Sequence, residues 1–385
     1  MRFGIDARTL LNKNYTGIAR CVYEDIHAWI KLYPQHEFFL FSSKRLELDI
    51  ELPDNWHIID NSKMKNGKIW FLFELPALVK KNHIDVFWGP SFALPRRNAK
   101  TKYYVTVHDL ALFKFRGIGE WKNAIRIKSL TKKSCENADG VITISRSTAE
   151  DVHKLLGIPK DKIFLSYIGG LPSDFSIKEG EDLSEVNNKL IFKEEYFLFI
   201  STIEPRKNVT TIIEAYERYR HLTGSNMKLV LAGKKGWKCE NIYRMVENSE
   251  YRNDIVMPGY ITDKDKAYLL SNASAFVFPS LYEGFGIPIL EAFAYGIPVI
   301  TTKVSSMPEV AGDAAFYLDN PLDVQTLAEL MGRAADLDKE QRNALSEKMH
   351  KRLELFSWDK NAKELMDIMT KSNDGKGIND ENSAD

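Results

Sequence analysis

The chain contains little cysteine. Its three cysteines, Cys21, Cys135 and Cys239, are far apart and odd in number, so neither a disulfide framework nor a zinc site is indicated. Disulfides belong to oxidising compartments, and we therefore expect a reducing, cytoplasmic setting. The opening sequence MRFGIDARTLL has no charged leader before an apolar core, so no signal peptide is predicted.

Long apolar runs and an excess of one charge are also missing. No apolar run approaches the roughly 18 residues that a membrane span needs. Lysine plus arginine and aspartate plus glutamate number 53 each, so no global field favours nucleic acid as a partner. Hydrophobic residues make up 44% and charged residues 28% of the 385 residues. These values are ordinary for a globular protein, and the length suits two domains.

Short apolar segments alternate with helical segments, which predicts parallel sheets flanked by helices. The candidate strands are residues 2–5, 38–41, 57–59, 86–88, 103–107, 140–144, 163–167, 196–201, 229–232, 255–258, 275–278 and 298–301. We predict an amino-terminal Rossmann-like domain (1–172), a polar linker (173–194) and a second Rossmann-like domain (195–357). A helix at 358–370 is expected to pack back on the first domain, and residues 371–385 are predicted to be disordered because they contain few apolar residues.

The run SLYEGFGIPILEAF, between the last two of these strands, carries the most information. Pro288 suits the first turn of a helix, where its missing N–H costs nothing. Gly286 allows the backbone to approach a ligand, and the free N–H groups of a helix start suit a diphosphate. We place Glu291 in the first turn, where its carboxylate can accept two hydrogen bonds from a ribose diol. Glu283 precedes the helix, where a sugar attached to that diphosphate is expected.

A second motif follows the strand at 196–201. The sequence Thr202-Ile203-Glu204-Pro205-Arg206-Lys207-Asn208 leads from that strand into a helix with apolar residues at helical spacing. A cationic turn at the end of a strand is a typical place to bind a diphosphate. Lys207, helped by Arg206, is therefore the candidate phosphate ligand, and its side chain is expected in a solvated cleft.

Two glutamates with seven residues between them, around Gly-Phe-Gly-Ile-Pro, resemble the signature of retaining family 4 glycosyltransferases of the GT-B fold. The resemblance is strong from about residue 196 to residue 316. It implies an α/β fold of two doubly wound Rossmann-like domains facing each other across a cleft. Lys207 matches the family's donor-phosphate motif best. Many members carry a Gly-Arg pair directly after the strand, whereas this chain has Ser201-Thr202 there, so Arg206 is the candidate second cation.

The resemblance also implies the wider set of site residues. The catalytic set is His108, Glu283, Arg206 and Lys207. The donor-binding set is Gly17, Thr202, Gly233, Tyr260, Ile261, Phe285, Gly286, Ile287 and Glu291. Two members of these sets have structural alternatives, because Gly17 also suits an ordinary helix start and a lone histidine such as His108 is often structural. Ser145 follows another strand and is interpreted as a helix N-cap.

From these motifs we expect a retaining, metal-independent glycosyltransferase that needs no cofactor, with GDP-mannose as the first choice of donor. The expected partners are a nucleotide-sugar donor and a glycan or lipid-linked glycan acceptor of bacterial surface polysaccharide synthesis. A nucleotide-sugar epimerase of related fold and a non-catalytic sugar-nucleotide-binding protein remain alternatives. An NAD-dependent oxidoreductase is disfavoured, because the turn after the first strand lacks a Gly-x-Gly-x-x-Gly motif.

A basic helical segment at 121–133 leaves one further question open. It combines Trp121 and Ile125 with five lysines and arginines. Such a segment can contact anionic lipid at the cytoplasmic face of the inner membrane, which would suit a lipid-linked acceptor. A solvated surface helix is the alternative and the interpretation we favour, because the basic residues do not form one clean face of the helix.

Overall fold

The computed structural model describes residues 1–11, 15, 17–60, 64, 66–115, 117–118, 121–171 and 186–371. The contacts divide the chain into two compact units. The first consists of Met1–Ser173 and Phe356–Asp385, and the second of Asp174–Leu355. Of the predicted linker 173–194, residues 173–185 lie outside the described residues, as does the predicted tail beyond residue 371.

The first unit contains a seven-stranded parallel sheet in the order β3-β2-β1-β4-β5-β6-β7. Its strands are β1 (Arg2–Asp6), β2 (Glu37–Phe41), β3 (Trp56–Ile59), β4 (Val86–Gly89), β5 (Lys102–Val107), β6 (Gly140–Thr143) and β7 (Ile163–Leu165). Its helices are α1 (Ile18–Leu32), α2 (Gly67–Ile69), α3 (Leu75–Lys81), α4 (Ala111–Lys114), α5 (Trp121–Asn137) and α6 (Arg146–Leu156), with a π-helical turn Trp70–Glu74 before α3.

Both faces of this sheet are apolar and covered by helices. In β2, Phe38 and Leu40 join the core beneath α1, whereas Phe39 and Phe41 join the core that contains α3, α5 and α6. Successive side chains of a strand point to opposite faces, so a sheet covered on both sides needs such continuous apolar runs. This accounts for the uninterrupted hydrophobic character of the strands predicted in the first half of the chain.

The second unit contains a six-stranded parallel sheet in the order β10-β9-β8-β11-β12-β13. Its strands are β8 (Tyr196–Ile200), β9 (Lys228–Ala232), β10 (Ile255–Gly259), β11 (Ala275–Phe278), β12 (Val299–Thr302) and β13 (Phe316–Leu318). Its helices are α7 (Val209–Thr223), α8 (Glu240–Asn248), α9 (Asp263–Asn272), α10 (Ile287–Ala294), α11 (Met307–Ala311), α12 (Val324–Ala335) and α13 (Lys339–Leu353).

A last helix, α14 (Trp358–Thr370), returns the chain to the first unit. Its residues Ala362, Leu365, Met366 and Met369 belong to the core beneath α1. The indole N–H of Trp29 in α1 donates to the carbonyl of Ala362 at 2.9 Å. The first unit is therefore built from both ends of the chain.

Candidate functional site

The candidate site lies where two loops leave the sheet of the second unit. β8 and β11 are neighbours, but the chain passes from β8 to β9 and β10 before it reaches β11. In an open parallel sheet, the usual ligand site is the crevice beyond the carboxyl ends of the strands at such a change of direction. The 3₁₀ turn Pro205–Lys207 follows β8, and the loop 279–286 follows β11. The structure thus brings the two predicted motifs together.

Four charged side chains from these loops form one charge cluster, which consists of Glu204, Arg206, Lys207 and Glu283. The ammonium of Lys207 donates to Glu283 Oε1 at 2.6 Å, and Arg206 Nη1 donates to Glu283 Oε2 at 2.9 Å. Arg206 Nε also donates to Glu204 Oε1 at 2.9 Å. Two cations and two carboxylates therefore balance each other before any ligand binds. The sequence motif contained Glu204, but the sequence assigned it no role.

The charge cluster is buried. Lys207 is 6% exposed and Glu283 is 8% exposed, so the prediction that Lys207 lies in a solvated cleft is wrong. The reason is Glu283, which compensates the ammonium and lets it leave water. Burial alone would raise the pKa of the Glu283 carboxyl, but Lys207 and Arg206 outweigh burial and hold that pKa below its usual value. The acid is therefore kept ionised inside the protein.

Asn208 fixes the turn that presents the two cations, a role that the sequence did not reveal. Its backbone is left-handed, with φ 59°, a conformation that asparagine tolerates better than most residues. Its side-chain amide donates to the carbonyls of Pro279 and Pro321 at 3.1 and 2.6 Å, and its Oδ1 accepts from Thr211. The amide N–H groups thus tie the turn after β8 to two neighbouring loops, and Oδ1 ties it to the first turn of α7.

The loop before α10 is held from the side of β12. The Ser306 hydroxyl lies 3.0 Å from the carbonyl of Glu283, within hydrogen-bonding distance, and Phe285 in the same loop is 3% exposed. Gly286 is the N-cap of α10 with φ 129°, and Pro288 lies in the first turn as predicted. Since only glycine adopts that φ readily, Gly286 determines where the helix begins.

The predicted position of Glu291 needs correction. α10 begins at Ile287, so Glu291 is its fifth residue, and its first turn contains no acid. The helix starts later than expected because Gly286 is not helical. The side chain of Glu291 is paired with Lys266 of α9, at 2.7 Å between Nζ and Oε1. Glu291 is therefore not part of the charge cluster, and no sequence pattern predicts its partner Lys266.

The other predicted donor-side residues of this unit lie at the carboxyl ends of β8, β9 and β10. Thr202 is exposed after β8, and Tyr260 and Ile261 follow β10, with the Tyr260 ring 62% exposed. Gly233 follows β9 with φ 148°, and a Cβ there would lie 1.8 Å from the carbonyl oxygen of Ser201. Gly233 is thus required by backbone packing, whatever its role toward a ligand.

The predicted residues of the first unit have local structural roles. His108 follows β5, is 7% exposed, and places Nε2 2.8 Å from the carbonyl oxygen of Pro90. Burial lowers the pKa of its imidazole. Gly17 is the N-cap of α1 with φ 55°, and Ser145 caps α6 by accepting from the Thr148 amide, as interpreted from the sequence. The ligand roles of His108 and Gly17 stay predictions.

The helix α5 exposes apolar and basic side chains side by side. In α5 the side chains of Trp121 and Ile125 are 69% and 59% exposed, next to exposed lysines and arginines. Among the described helices, none is both long and apolar enough to cross a membrane. In the same part of the chain no group of three or more His, Cys, Asp or Glu side chains is placed to hold a metal ion. The three cysteines are buried free thiols.

Two family models match the chain. The model described as glycosyltransferase family 4 matches residues 15–169, and the model of glycosyl transferases group 1 matches residues 183–352. The first match falls within the first unit and the second within the second unit. Together they span most of the chain.

Curated relatives include mannosyltransferases of bacterial O-antigen chains. The O-antigen chain mannosyltransferase B of Escherichia coli is 32% identical over 246 residues, which are 63% of this chain and 63% of that protein. The match thus covers less than two thirds of that relative's length. The O-antigen chain mannosyltransferase RfbU of Salmonella typhimurium is 25% identical over 66% of this chain and 67% of that protein.

Solved structures share the whole architecture. WaaG, a glycosyltransferase involved in lipopolysaccharide biosynthesis, superposes with a TM-score of 0.68 at 16% identity and covers 97% of this chain and 100% of its own. HepE of Anabaena, in complex with UDP and glucose, gives a TM-score of 0.69 at 14% identity over 96% and 99% of the two chains. At such identities the likeness shows the fold, and the predicted GT-B class is confirmed.

Proposed function

The chain belongs to the group 1 glycosyl transferases of family 4, and we propose that it transfers a hexose from a nucleoside-diphosphate sugar. The acceptor is a glycan or a lipid-linked glycan, the anomeric configuration is retained, and no metal or other cofactor takes part. One observation carries the proposal: Arg206 and Lys207 converge on Glu283 at the crevice beyond β8 and β11.

The two cations act on the leaving group. As the bond between the anomeric carbon and the donor phosphate breaks, negative charge accumulates on the departing diphosphate. Lys207 and Arg206 stabilise that charge from a buried position, where a fixed cation is worth far more than in water. The acceptor hydroxyl attacks on the face that the diphosphate leaves, and its proton passes to a phosphate oxygen. No covalent sugar–enzyme intermediate is needed.

Glu283 has two tasks in this mechanism. Each of its oxygens accepts from one cation, which fixes both cations relative to each other. A carboxylate oxygen has a second acceptor site, and through these sites Glu283 receives hydroxyls of the donor sugar. Glu291 binds the ribose of the same donor. His108 is assigned to the sugar side only on the ground of its place after β5, because its Nε2 already meets Pro90.

GDP-mannose is the proposed donor, because the two curated relatives described above are mannosyltransferases of O-antigen chains. By the same argument the product belongs to a bacterial surface polysaccharide. Three buried thiols suit a reducing compartment, so we place the protein in the cytoplasm. The exposed basic side chains of α5, beside Trp121 and Ile125, provide for peripheral contact with the anionic inner face of the membrane.

A thermal-shift screen with GDP-, UDP-, dTDP- and CDP-sugars tests the donor first, because a ligand that binds only the folded state raises its melting temperature. GDP-mannose is expected to give the largest shift. Transfer is then measured as release of nucleoside diphosphate that depends on an added glycan acceptor. A sugar nucleotide converted to its epimer would indicate an epimerase. Binding without any turnover would indicate a non-catalytic binding protein.

A further inference from the structure

The mechanism above uses Glu291 of the second unit but gives no role to Lys266, the side chain that forms an ion pair with it. Lys266 Nζ donates to Glu291 Oε1 at 2.7 Å, and the two side chains are 30% and 18% exposed. Both are anchored on helices and both are partly open to solvent. In the charge cluster, by contrast, each oxygen of Glu283 accepts from a cation, and the side chains are only 8–15% exposed.

The start of α9 places Lys266 firmly. Thr262 is the N-cap of this helix, and a capping box joins the Thr262 and Asp265 side chains to each other's backbone N–H groups. Asp265 also accepts from the backbone N–H of Asn187 at 3.0 Å. Because Lys266 directly follows this tethered residue, its backbone cannot shift freely. A cation held by a capped helix start therefore meets a carboxylate held by α10.

A lysine–glutamate pair of this kind offers both hydrogen-bonding roles to one ligand. The ammonium has three N–H donors, of which Glu291 takes one, and the carboxylate keeps acceptor sites on Oε2. A cis-diol needs this combination, because each hydroxyl donates one hydrogen bond and also accepts. With Glu291 alone only the two O–H groups would be satisfied, and the accepting lone pairs of the diol oxygens would be left to water.

We propose that Lys266 is a specificity-determining residue of the donor site, which together with Glu291 recognises the 2′,3′-diol of a ribonucleotide. Glu291 accepts from the diol hydroxyls, and Lys266 donates to a diol oxygen while it holds the Glu291 rotamer. The inference rests on the proposed function, because it assumes that Glu291 faces the ribose of a nucleoside-diphosphate sugar.

The consequence is a restriction of the donor class. A 2′-deoxyribonucleotide has one hydroxyl instead of a diol, so it leaves one member of the pair without its partner. Sites built to bond a ligand hydroxyl reject analogues that lack it, because buried polar groups are then left unpaired. The enzyme should thus use ribonucleoside-diphosphate sugars and discriminate against dTDP-sugars, whatever base the crevice prefers.

Calorimetric titration of the wild-type protein with two matched pairs tests this: GDP against 2′-deoxy-GDP, and UDP against 2′-deoxy-UDP. Within the pair whose base the protein accepts, the ribonucleotide is expected to bind about tenfold more tightly or better, as for a hydrogen bond to a charged group. In Lys266→Met the preference should fall to within about threefold, with most of the loss on the ribonucleotide. Lys266→Arg should retain most of it.

Lys264→Met is the matched control, since it removes an exposed lysine of the same helix and should leave the ribose preference unchanged. Equal binding of the ribo and deoxy forms by the wild-type protein would overturn the inference and leave the proposed function standing. So would an unchanged or stronger preference in a folded Lys266→Met protein. Binding of no nucleoside diphosphate at all would overturn the proposed function and the inference with it.

Discussion

Two buried carboxyl groups, one in each unit, lie in opposite electrostatic surroundings. Asp25 of α1 is 2% exposed, follows the buried acid Glu24, and its Oδ1 has no hydrogen-bond partner among the described residues. It lines a cavity of about 10 Å³ with His108 and Asn361. Glu283 is buried to a similar degree but receives hydrogen bonds from two cations.

The pKa values of these groups move in opposite directions. Burial, and then the neighbouring Glu24, raise the pKa of Asp25 well above its usual value and so favour its neutral form. Burial acts in the same direction on Glu283, but Lys207 and Arg206 reverse it. Desolvation alone therefore does not mark the candidate site. A buried acid kept ionised by cations, at the ends of parallel strands, is the distinguishing feature.

Replacing Lys207, one of the two cationic side chains paired with Glu283, should have the largest effect on turnover. Lys207→Ala is expected to lower turnover about a hundredfold or more, because charge on the departing diphosphate loses a buried cation. It should also destabilise the protein by up to about 3 kcal/mol, the lower end of the cost of breaking a buried ion pair, because Glu283 keeps Arg206 as its second partner. Steady-state kinetics and thermal unfolding measure the two effects. Lys348→Ala, which breaks an exposed ion pair of α13, is the control and should change neither.

A folded Lys207→Ala protein with wild-type turnover would refute the assigned role of the charge cluster. If stability falls but turnover per folded molecule does not, the pair is structural only. The double variant Lys207→Met/Glu283→Gln helps to separate these effects, because it removes cation and carboxylate together. It should recover most of the lost stability and none of the lost turnover.

Neutralising Glu283 while keeping its shape comes next in size. Glu283→Gln should lower turnover by about tenfold or more, because it loses charged hydrogen bonds to the cations and the donor sugar. Affinity for the free nucleoside diphosphate should be unchanged or higher, since Lys207 and Arg206 are then released to the phosphates. Glu204→Gln provides the comparison within the cluster. Its carboxylate accepts from Arg206, whereas the Lys207 ammonium donates to Glu283, so the effect of Glu204→Gln on turnover should be smaller. Loss of nucleotide affinity in Glu283→Gln would contradict this division of roles.

The sequence predicted the strands and loops that carry this site better than the contacts between its side chains. All twelve predicted strands are present, because strands buried on both faces are recognisable as continuous apolar runs. β13 was missed, since three residues are too few to show a pattern. The loops with Lys207 and Glu283 were recognised from their residue order. The ion pair between these two residues was not predicted, because a contact between residues 76 positions apart depends on the order of the strands in the sheet. The partners Asn208 and Lys266 were missed for the same reason.

A smaller effect, on stability alone, is expected when Asp25 is replaced. Its pKa is raised in the folded state, so above the usual carboxyl pKa the unfolded chain binds fewer protons and stability falls as pH rises. Asp25→Asn removes this loss and should raise the melting temperature at pH 8 by a few degrees. The gain should shrink as the pH falls toward the usual aspartate pKa and vanish well below it, where the carboxyl is protonated in both states. Glu283 contributes with the opposite sign: its stabilisation is present above its usual pKa and is lost as the pH falls. A melting temperature that drops in Asp25→Asn at pH 8 would show that Asp25 is ionised after all.

Metal removal should have the smallest effect on turnover. The reason lies in the surroundings of Asp25 and Glu283. Burial raises the pKa of Asp25 and favours its protonated form, and each oxygen of Glu283 already accepts from a cation of the chain itself. A divalent ion at either group would have to displace a proton or a buried ion pair. Asp263 and Asp265 follow a metal-binding letter pattern, but Asp265 is committed to the capping box of α9. Turnover in excess EDTA should therefore equal turnover in added manganese or magnesium. Complete loss in EDTA, reversed by either ion, would mean that Lys207 and Arg206 do not replace a metal.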